Sequence, residues 1–429
     1  MAIATLTADP QVQASRRFLE ALLADYGPRN FQVRFWDGST WEAETQTPDF
    51  TLVLNHAGAL RKMFFPPNGL TLGKAYIYDD CDIEGDMLAY VRFLSRLAAT
   101  KRTAGQRLRL AWRLWNLPKI DRPRLGRQPV QLRGRAHSPE RDRQAISYHY
   151  DLCNEFYARI LDKHMQYTCG VYANENEDQD TAQTRKLDYH CKKLRLKPGE
   201  RLLDIGCGWG GMVVFAAKNY GAHTTGVTLS KRQAEWAEQR IREAGLENQA
   251  RIVYDDYRNL DERQSFDKIV TVCVLEHFGR QNFGTYFQKM ARLLKPGGTL
   301  LIQQITLSGQ QGLTMGRQFS QAYIFPDGEL APVSYTLSEG EKAGLEVRDV
   351  ECLREHYPLS LRAWLDNVEN RHDELVALTD EAAWRSYRFY FAGAMHGFQT
   401  NVYNLHHMLF VKPDNGRSGM PMSRADWYA

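Results

Sequence analysis

The run Leu202-Leu203-Asp204-Ile205-Gly206-Cys207-Gly208-Trp209-Gly210-Gly211 joins an apolar, strand-like stretch to a glycine turn and a helix start. Glycines at 206, 208 and 210/211 permit tight backbone geometry and let a ligand lie against bare amides at a helix N-terminus. By itself Gly206-x-Gly208-x-x-Gly211 also matches the dinucleotide fingerprint. A nicotinamide site, however, wants an acid at the end of the next strand to hold the ribose hydroxyls. Here that strand ends Gly-Val-Thr-Leu-Ser-Lys-Arg-Gln, with no Asp or Glu. Asp204 is placed to orient the turn from below, and Asp255–Asp256, closing the third strand, can meet an adenine amino group. This is the layout of an S-adenosylmethionine site, and a merely structural glycine turn is the weaker reading.

The elements around the loop alternate. RLLDIG reads as a strand, GMVVFAAKNY as a helix, HTTGVTLS as a strand and KRQAEWAEQRIREAG as a helix. ARIVYDD, FDKIVTVCVL, a helix ending in LLKPGG, and TLLIQQITL continue the pattern. Such alternation predicts a mostly parallel sheet with helices on both faces. The expected class is α/β, a Rossmann-like sheet over residues 138–429. Residues 1–117 predict a small α+β domain: a helix, then FQVRFWDGSTWEAE with an Asp-Gly turn, DFTLVLN, and apolar residues at helical spacing from Met87 to Leu97. A mobile Pro- and Arg-rich linker at 118–137 is expected between them.

A chain of 429 residues suits two domains. Seven cysteines lie scattered with no C-x-x-C pair, which excludes a disulfide framework or zinc ribbon; no metal site is expected, and a reducing cytoplasm is. No secretory signal and no apolar run of spanning length is visible. The net charge of +4 hides a basic band: 13 Lys and Arg against three acids between Lys101 and Arg143, which points to a polyanionic partner. In GQRLRLAWRLWNLP, Leu108, Trp112 and Trp115 recur at helical intervals among Arg107, Arg109 and Arg113. Such a helix suits an anionic bilayer; a helix packed on its own domain with a solvated Arg face fits equally well.

At this point the sequence resembles the cyclopropane-fatty-acyl-phospholipid synthases and their mycolic-acid-modifying relatives. The resemblance rests on SYHYDLCNEFYARIL (147–161), MQYTCGVY (165–172), LLDIGCGWGG, GVTLSKRQ, DDYRNL, VLEHFG (274–279) and YIFPDGELAP (323–332), in family order over roughly residues 140–411. The N-terminal section resembles, more weakly, the extra domain of the phospholipid-acting branch. The resemblance implies methyl transfer to a cis double bond of a lipid acyl chain, then loss of a proton to close a three-membered ring. An alkene is a poor nucleophile, so the sulfonium must be held in line with it in a dry site, beside electron-rich rings that suit a cation. Carried over, the cofactor contacts are Tyr167, Thr168, Gly206, Gly208, Gly210, Thr228, Leu229, Gln233 and Asp256. The family's bound bicarbonate base would meet Cys169, Glu276, the backbone near Ile305, and Tyr357. Glu276 would orient it and Tyr357 would donate a hydrogen bond. The blander alternatives are a core Cys169, a helix-capping Glu276, a core His277 and a packing Tyr357.

Two departures stand out. The family's LLHTI segment reads Leu301-Ile302-Gln303-Gln304-Ile305 here, so Gln303 replaces a bicarbonate-binding His and cannot change charge near neutrality. Ring closure is the step this puts in question; a relative losing the proton elsewhere would leave a methylene branch. The usual Asp-Leu-Gly-Asn is Asp151-Leu152-Cys153-Asn154. The expected partner is an unsaturated phospholipid at the anionic inner face of a membrane, and the resemblance implies a homodimer. A nucleic-acid methyltransferase is the reading from another class; the missing N-P-P-[YF] motif and the VLEHFG match weigh against it and against a nucleic-acid partner.

Overall fold

The computed structural model describes residues 9–150, 152–263, 265–308 and 315–427. Asp151, one of the departures noted above, lies outside them. Two compact units emerge. One holds residues up to 129 together with 313–324 and 380–396; the other holds 130–312, 325–379 and 397–429.

The first unit opens with α1 (Pro10–Leu22), capped by Asp9, whose carboxylate accepts from the Gln11 amide, with Pro at the first helical position. β1 (Phe31–Arg34), β2 (Thr40–Trp41) and β3 (Phe50–Leu54) follow, then α2 (Ala59–Phe64), α3 (Gly69–Ile77), β4 (Cys81–Gly85), α4 (Met87–Ala99) and α5 (Ala104–Trp115). The sheet order is β2-β1-β3-β4. Phe31 and Phe50 stack at 4.9 Å beneath Phe93 of α4, as alternating strands and an amphipathic helix require. The 118–137 stretch contains no helix or strand. Its first half is nonetheless bound rather than loose: Arg122 donates to the Asp79 carbonyl at 2.7 Å and Arg127 to the Tyr323 carbonyl at 2.9 Å.

The second unit contains α6 (Pro139–Tyr150), α7 (Asn154–Ile160), α8 (Gln179–Leu194), β5 (Arg201–Ile205), α9 (Gly211–Tyr220), β6 (His223–Thr228), α10 (Lys231–Glu243) and β7 (Ala250–Tyr254). β8 (Phe266–Val272), α11 (Leu275–Phe278), α12 (Phe283–Leu293) and β9 (Leu294–Leu307) come next. The chain then contributes α13 (Met315–Tyr323) to the first unit. It returns for α14 (Val333–Lys342), β10 (Glu346–Cys352), α15 (His356–Asn370) and α16 (His372–Leu378), gives most of α17 (Glu381–Gln399) to the first unit, and ends with β11 (Tyr403–Val411). Among the described residues the sheet runs β10-β11-β9-β8-β5-β6-β7, and β11 is antiparallel to both neighbours. The expected Rossmann-like class is what the structure shows. Strand order reverses between β5 and β8, and in such sheets ligands bind beyond the carboxyl ends at that switch.

Residues 138–429 do not form one body, because α13 and residues 380–396 belong to the first unit. The reason is physical. Arg385 and Arg388, both buried, donate to main-chain carbonyls of Tyr76, Ile83 and Gly85 and to the Tyr76 hydroxyl. A Cβ on Gly73 would sit 2.2 Å from the Phe319 ring, so only glycine admits this helix contact.

Candidate active site

β5 delivers Asp204 and the glycine turn to the switch point. Gly206, Gly208 and Gly210 all have positive φ (74°, 54° and 79°), the region that favours glycine. The Gly206 and Cys207 amides donate to the Val227 carbonyl at 2.8 and 3.0 Å, tying the turn to β6. A side chain at Gly206 would strike Val274 at 2.4 Å and one at Gly210 would strike Ala237 at 2.8 Å. At Gly208 the nearest atom to an added Cβ is the Gln233 amide at 4.0 Å. Gly208 is thus the open point of the cradle, where a ligand can approach bare backbone. This fits S-adenosylmethionine.

Around it, the Thr228 hydroxyl donates to Gln233 Oε1 at 2.9 Å and accepts from the Ser230 amide at 3.2 Å; Leu229 between them is half-exposed. Asp256 is less available than expected. Its carboxylate accepts from the Arg258 amide and Nε at 2.9 and 2.8 Å and from Nη2 at 2.6 Å, and Arg258 also holds Asp142 at 2.9 Å. Any adenine contact there uses the lone pairs left over.

The loop between α7 and α8 carries Tyr167, Thr168 and Cys169. Tyr167 stands among rings, 5.5 Å from Tyr157, 5.2 Å from Trp364 and 6.3 Å from Phe325, and His277 lies 5.6 Å from Phe325. Electron-rich faces of this kind suit a sulfonium or a carbocation. Beneath them Lys186 of α8 is fully buried and donates to Gln166 Oε1 and Thr168 Oγ1, each at 2.8 Å. Burial pulls its ammonium down to about 8, against the opposing pull of Asp162 and other neighbours. Burial likewise lifts Asp204 to about 7, with Lys186 opposing.

Glu276 opens α11, just past β8. Its Oε1 accepts from the Ile305 amide at 2.6 Å. Its Oε2 is buried with no partner among the described residues, and burial raises the carboxyl to about 7, partly offset by the Ile305 bond. An orphaned buried acceptor is costly and calls for a ligand or a role. Two of the expected neighbours, Glu276 and the Ile305 backbone, therefore do meet. Glu276 makes no helix cap. Cys169 is buried with its Sγ 3.1 Å from the Gly170 carbonyl, and burial pushes the thiol up, so it stays protonated. Tyr357 on α15 is buried with its ring 4.3 Å from Phe398. One turn on, Ser360 accepts from the Gly170 amide at 2.9 Å, which docks this helix beside the Cys169 loop.

Gln303 has an unforeseen setting. Its Oε1 accepts from His190 Nε2 at 3.1 Å and from His407 Nε2 at 2.9 Å, and its Nε2 points to Cys273 Sγ at 3.7 Å. Burial holds His190 down to about 3 and His407 well below its usual range, so both rings are neutral. The single replacement of His by Gln thus stands in front of two histidines. Lys186, His190, Cys273 and His407 escaped the sequence reading. His407 faces Gln303 across the β9–β11 pairing, and Cys273 holds the left-handed backbone (φ 52°) that turns β8 into α11.

The family model described as mycolic acid cyclopropane synthetase matches residues 137–408, and a domain of unknown function matches residues 18–101. The chain is 35% identical over 401 residues to a probable fatty acid methyltransferase of Pseudomonas putida, covering 92% of this chain and 96% of that one. It is 35% identical over 264 residues to the cyclopropane-fatty-acyl-phospholipid synthase of Escherichia coli K12, covering 62% and 66%. Among solved structures, the mycolic acid cyclopropane synthase CmaA1 complexed with SAH and CTAB matches with a TM-score of 0.60 at 28% identity, over 62% of this chain and 97% of that one. The cyclopropane synthase MmaA2 of Mycobacterium tuberculosis matches with a TM-score of 0.60 at 26% identity, over the same shares. With the glycine cradle at the switch point and the buried acid beside it, these matches establish that the chain belongs to the mycolic acid cyclopropane synthetase family and is an S-adenosylmethionine-dependent lipid methyltransferase.

Proposed function

We propose that the enzyme methylates the cis double bond of an unsaturated phospholipid acyl chain and that the added carbon is closed into a cyclopropane. The observation that carries this reading is Glu276, with one carboxylate oxygen bound to the Ile305 amide and the other buried and unmet. The carboxyl faces main-chain amides and the Cys273 thiol, and a buried acid in that setting suits removal of a proton from carbon. S-adenosylmethionine, when bound, supplies the electrophilic methyl group. Gly208 and the Thr228–Gln233 pair would hold it, and the rings of Tyr167, Phe325 and Trp364 would exclude water from the cation left on the acyl chain. A bicarbonate would fit against Glu276 Oε2 as the proton acceptor, beside Cys169 and Tyr357.

A second product is favoured by one specific observation, the neutral Gln303 held by two neutral histidines. A cation that loses its methyl proton at once closes a ring. In a cation that waits, the hydride on the methyl-bearing carbon shifts to its cationic neighbour, which moves the charge to the more substituted carbon, and loss of a methyl proton then leaves a methylene branch. A site without a chargeable residue at position 303 slows the first route. The Pseudomonas relative's name, fatty acid methyltransferase, supports this reading, and the Escherichia coli relative's name supports the ring.

Both products are isomers, so mass alone does not separate them. Purified protein with S-adenosylmethionine and vesicles of mono-unsaturated phosphatidylglycerol should yield a lipid one CH2 heavier, whose carbon skeleton is read by NMR. High-field cyclopropane protons establish the ring, and vinylidene protons establish the branch. No methylated lipid despite cofactor binding overturns both.

A further inference from the structure

α5 turns its apolar stripe outward. Its N-terminus is closed by a capping box between Thr103 and Gln106, and Leu114 is its one fully buried residue. Leu108, Trp112 and Trp115 are 72%, 69% and 63% exposed. At about 100° per residue these three fall within roughly 60° of arc, and Arg107 and Arg109 stand about 100° to either side. Leu110 and Leu114 hold the opposite face, half-buried and buried. The helix is packed on its own unit with Arg107 and Arg109 solvated, and it leaves the apolar stripe exposed as well.

The stripe continues onto α2. Phe65, 54% exposed, packs edge-on to Trp115 at 6.1 Å, and the Arg61 guanidinium lies 4.9 Å over the Trp115 ring. Arg61 also donates to the Trp115 and Leu117 carbonyls at 2.9 and 3.0 Å, which fixes the helix end. α5 itself carries three arginines and no acid. Contiguous exposed aromatic surface on a water-soluble face is costly; flanked by cations, it complements the headgroup region of an anionic bilayer, where Trp rings and Arg side chains both find partners.

We propose that the face formed by Leu108, Trp112, Trp115 and Phe65, rimmed by Arg61, Arg107 and Arg109, docks this enzyme on an anionic phospholipid membrane. This deepens the functional reading above, because it rests on the acyl substrate lying in a bilayer.

The test uses the full chain and vesicles that contain no double bond, so that docking is read apart from chemistry. The chain should sediment with diphytanoyl phosphatidylglycerol/phosphatidylcholine vesicles and much less with phosphatidylcholine alone. Trp112→Ser with Trp115→Ser should weaken binding about tenfold or more. Arg107→Gln with Arg109→Gln should do the same at low salt and lose its effect at high salt. Unchanged circular dichroism and S-adenosylhomocysteine binding would show that the variants are folded. Variants that bind as well as the parent overturn the proposal. So does a parent dimer that the Trp pair dissolves, which would make the face an interface between copies, or a salt-sensitive RNA shift without vesicle binding. Methylation of the same unsaturated lipid dispersed in detergent reports on the chemistry alone: its absence in the parent sinks the functional reading and leaves docking to be judged by sedimentation.

Discussion

Glu276 pays for its burial in a way that pH exposes. Its folded pKa of about 7 stands above the ordinary 4.5. The protonated carboxyl is therefore the form that the fold prefers, and the stability it confers is fully present below about 4.5. That stability is lost as pH rises through 7, to a cost on the order of 3 kcal/mol at pH 8. Glu276→Gln should accordingly raise the thermal stability measured at pH 8 and leave that at pH 4.5 nearly unchanged. Activity needs the opposite form. kcat/KM should rise with pH through about 7, and Glu276→Gln should lose about a hundredfold or more while still binding S-adenosylhomocysteine by calorimetry. Asp204 titrates in the same range, and only comparison with the Gln variant assigns the profile. At Gln303, replacement by Leu removes the oxygen that His190 and His407 share and leaves the two buried rings, 3.3 Å apart, only each other as partner there. Unfolding in urea should show a loss of about 2 kcal/mol or more.

Elements separate the two jobs of the glycine loop. Gly206 is required by close packing against Val274 as well as by its backbone, whereas Gly208 faces open space. Gly208→Ala should cost about 1–2 kcal/mol from its left-handed backbone and weaken cofactor binding about tenfold or more. Gly206→Ala should unfold the second unit at a clearly lower temperature, and melting with and without S-adenosylhomocysteine distinguishes the two variants. The loop was legible in the sequence because strand, glycines and helix are contiguous, and the alternation around it declared the parallel sheet. Glu276 and Ile305 were reached through family motifs. The partners of Gln303 were not legible, because His407 reaches it only through the pairing of β9 with β11 and His190 only through the packing of α8 on the sheet. The outward face of α5 was also undecidable beforehand: the stripe was plain, but which side met the core depended on Leu110 and Leu114 finding it.

For the whole molecule, the division into units does not follow chain order. No local pattern marks α13 or residues 380–396 as belonging with the first 129 residues; Gly73 against Phe319 and the two buried arginines of α17 decide it. A truncation beginning at residue 130 would therefore keep α17 while removing the carbonyls that Arg385 and Arg388 satisfy. Such a chain should be insoluble or bind no cofactor on expression, whereas the full chain should bind it. A fragment ending at residue 129 should fail to show cooperative unfolding by circular dichroism.

The same interleaving sets a timetable for biosynthesis. The first 129 residues leave the ribosome early, but the arginines that complete their unit arrive only with residues 380–396, that is 396 minus 129 or 267 residues later. At about 5–20 residues per second the wait is roughly 15 to 50 s. Through that interval the main-chain carbonyls of Tyr76, Ile83 and Gly85 lack their guanidinium partners, and until residue 319 is made the Phe319 site against Gly73 also stands empty. The N-terminal part of this chain is the first to be made and among the last to be finished, which makes the nascent polypeptide a natural client for chaperones that shield exposed surface during translation.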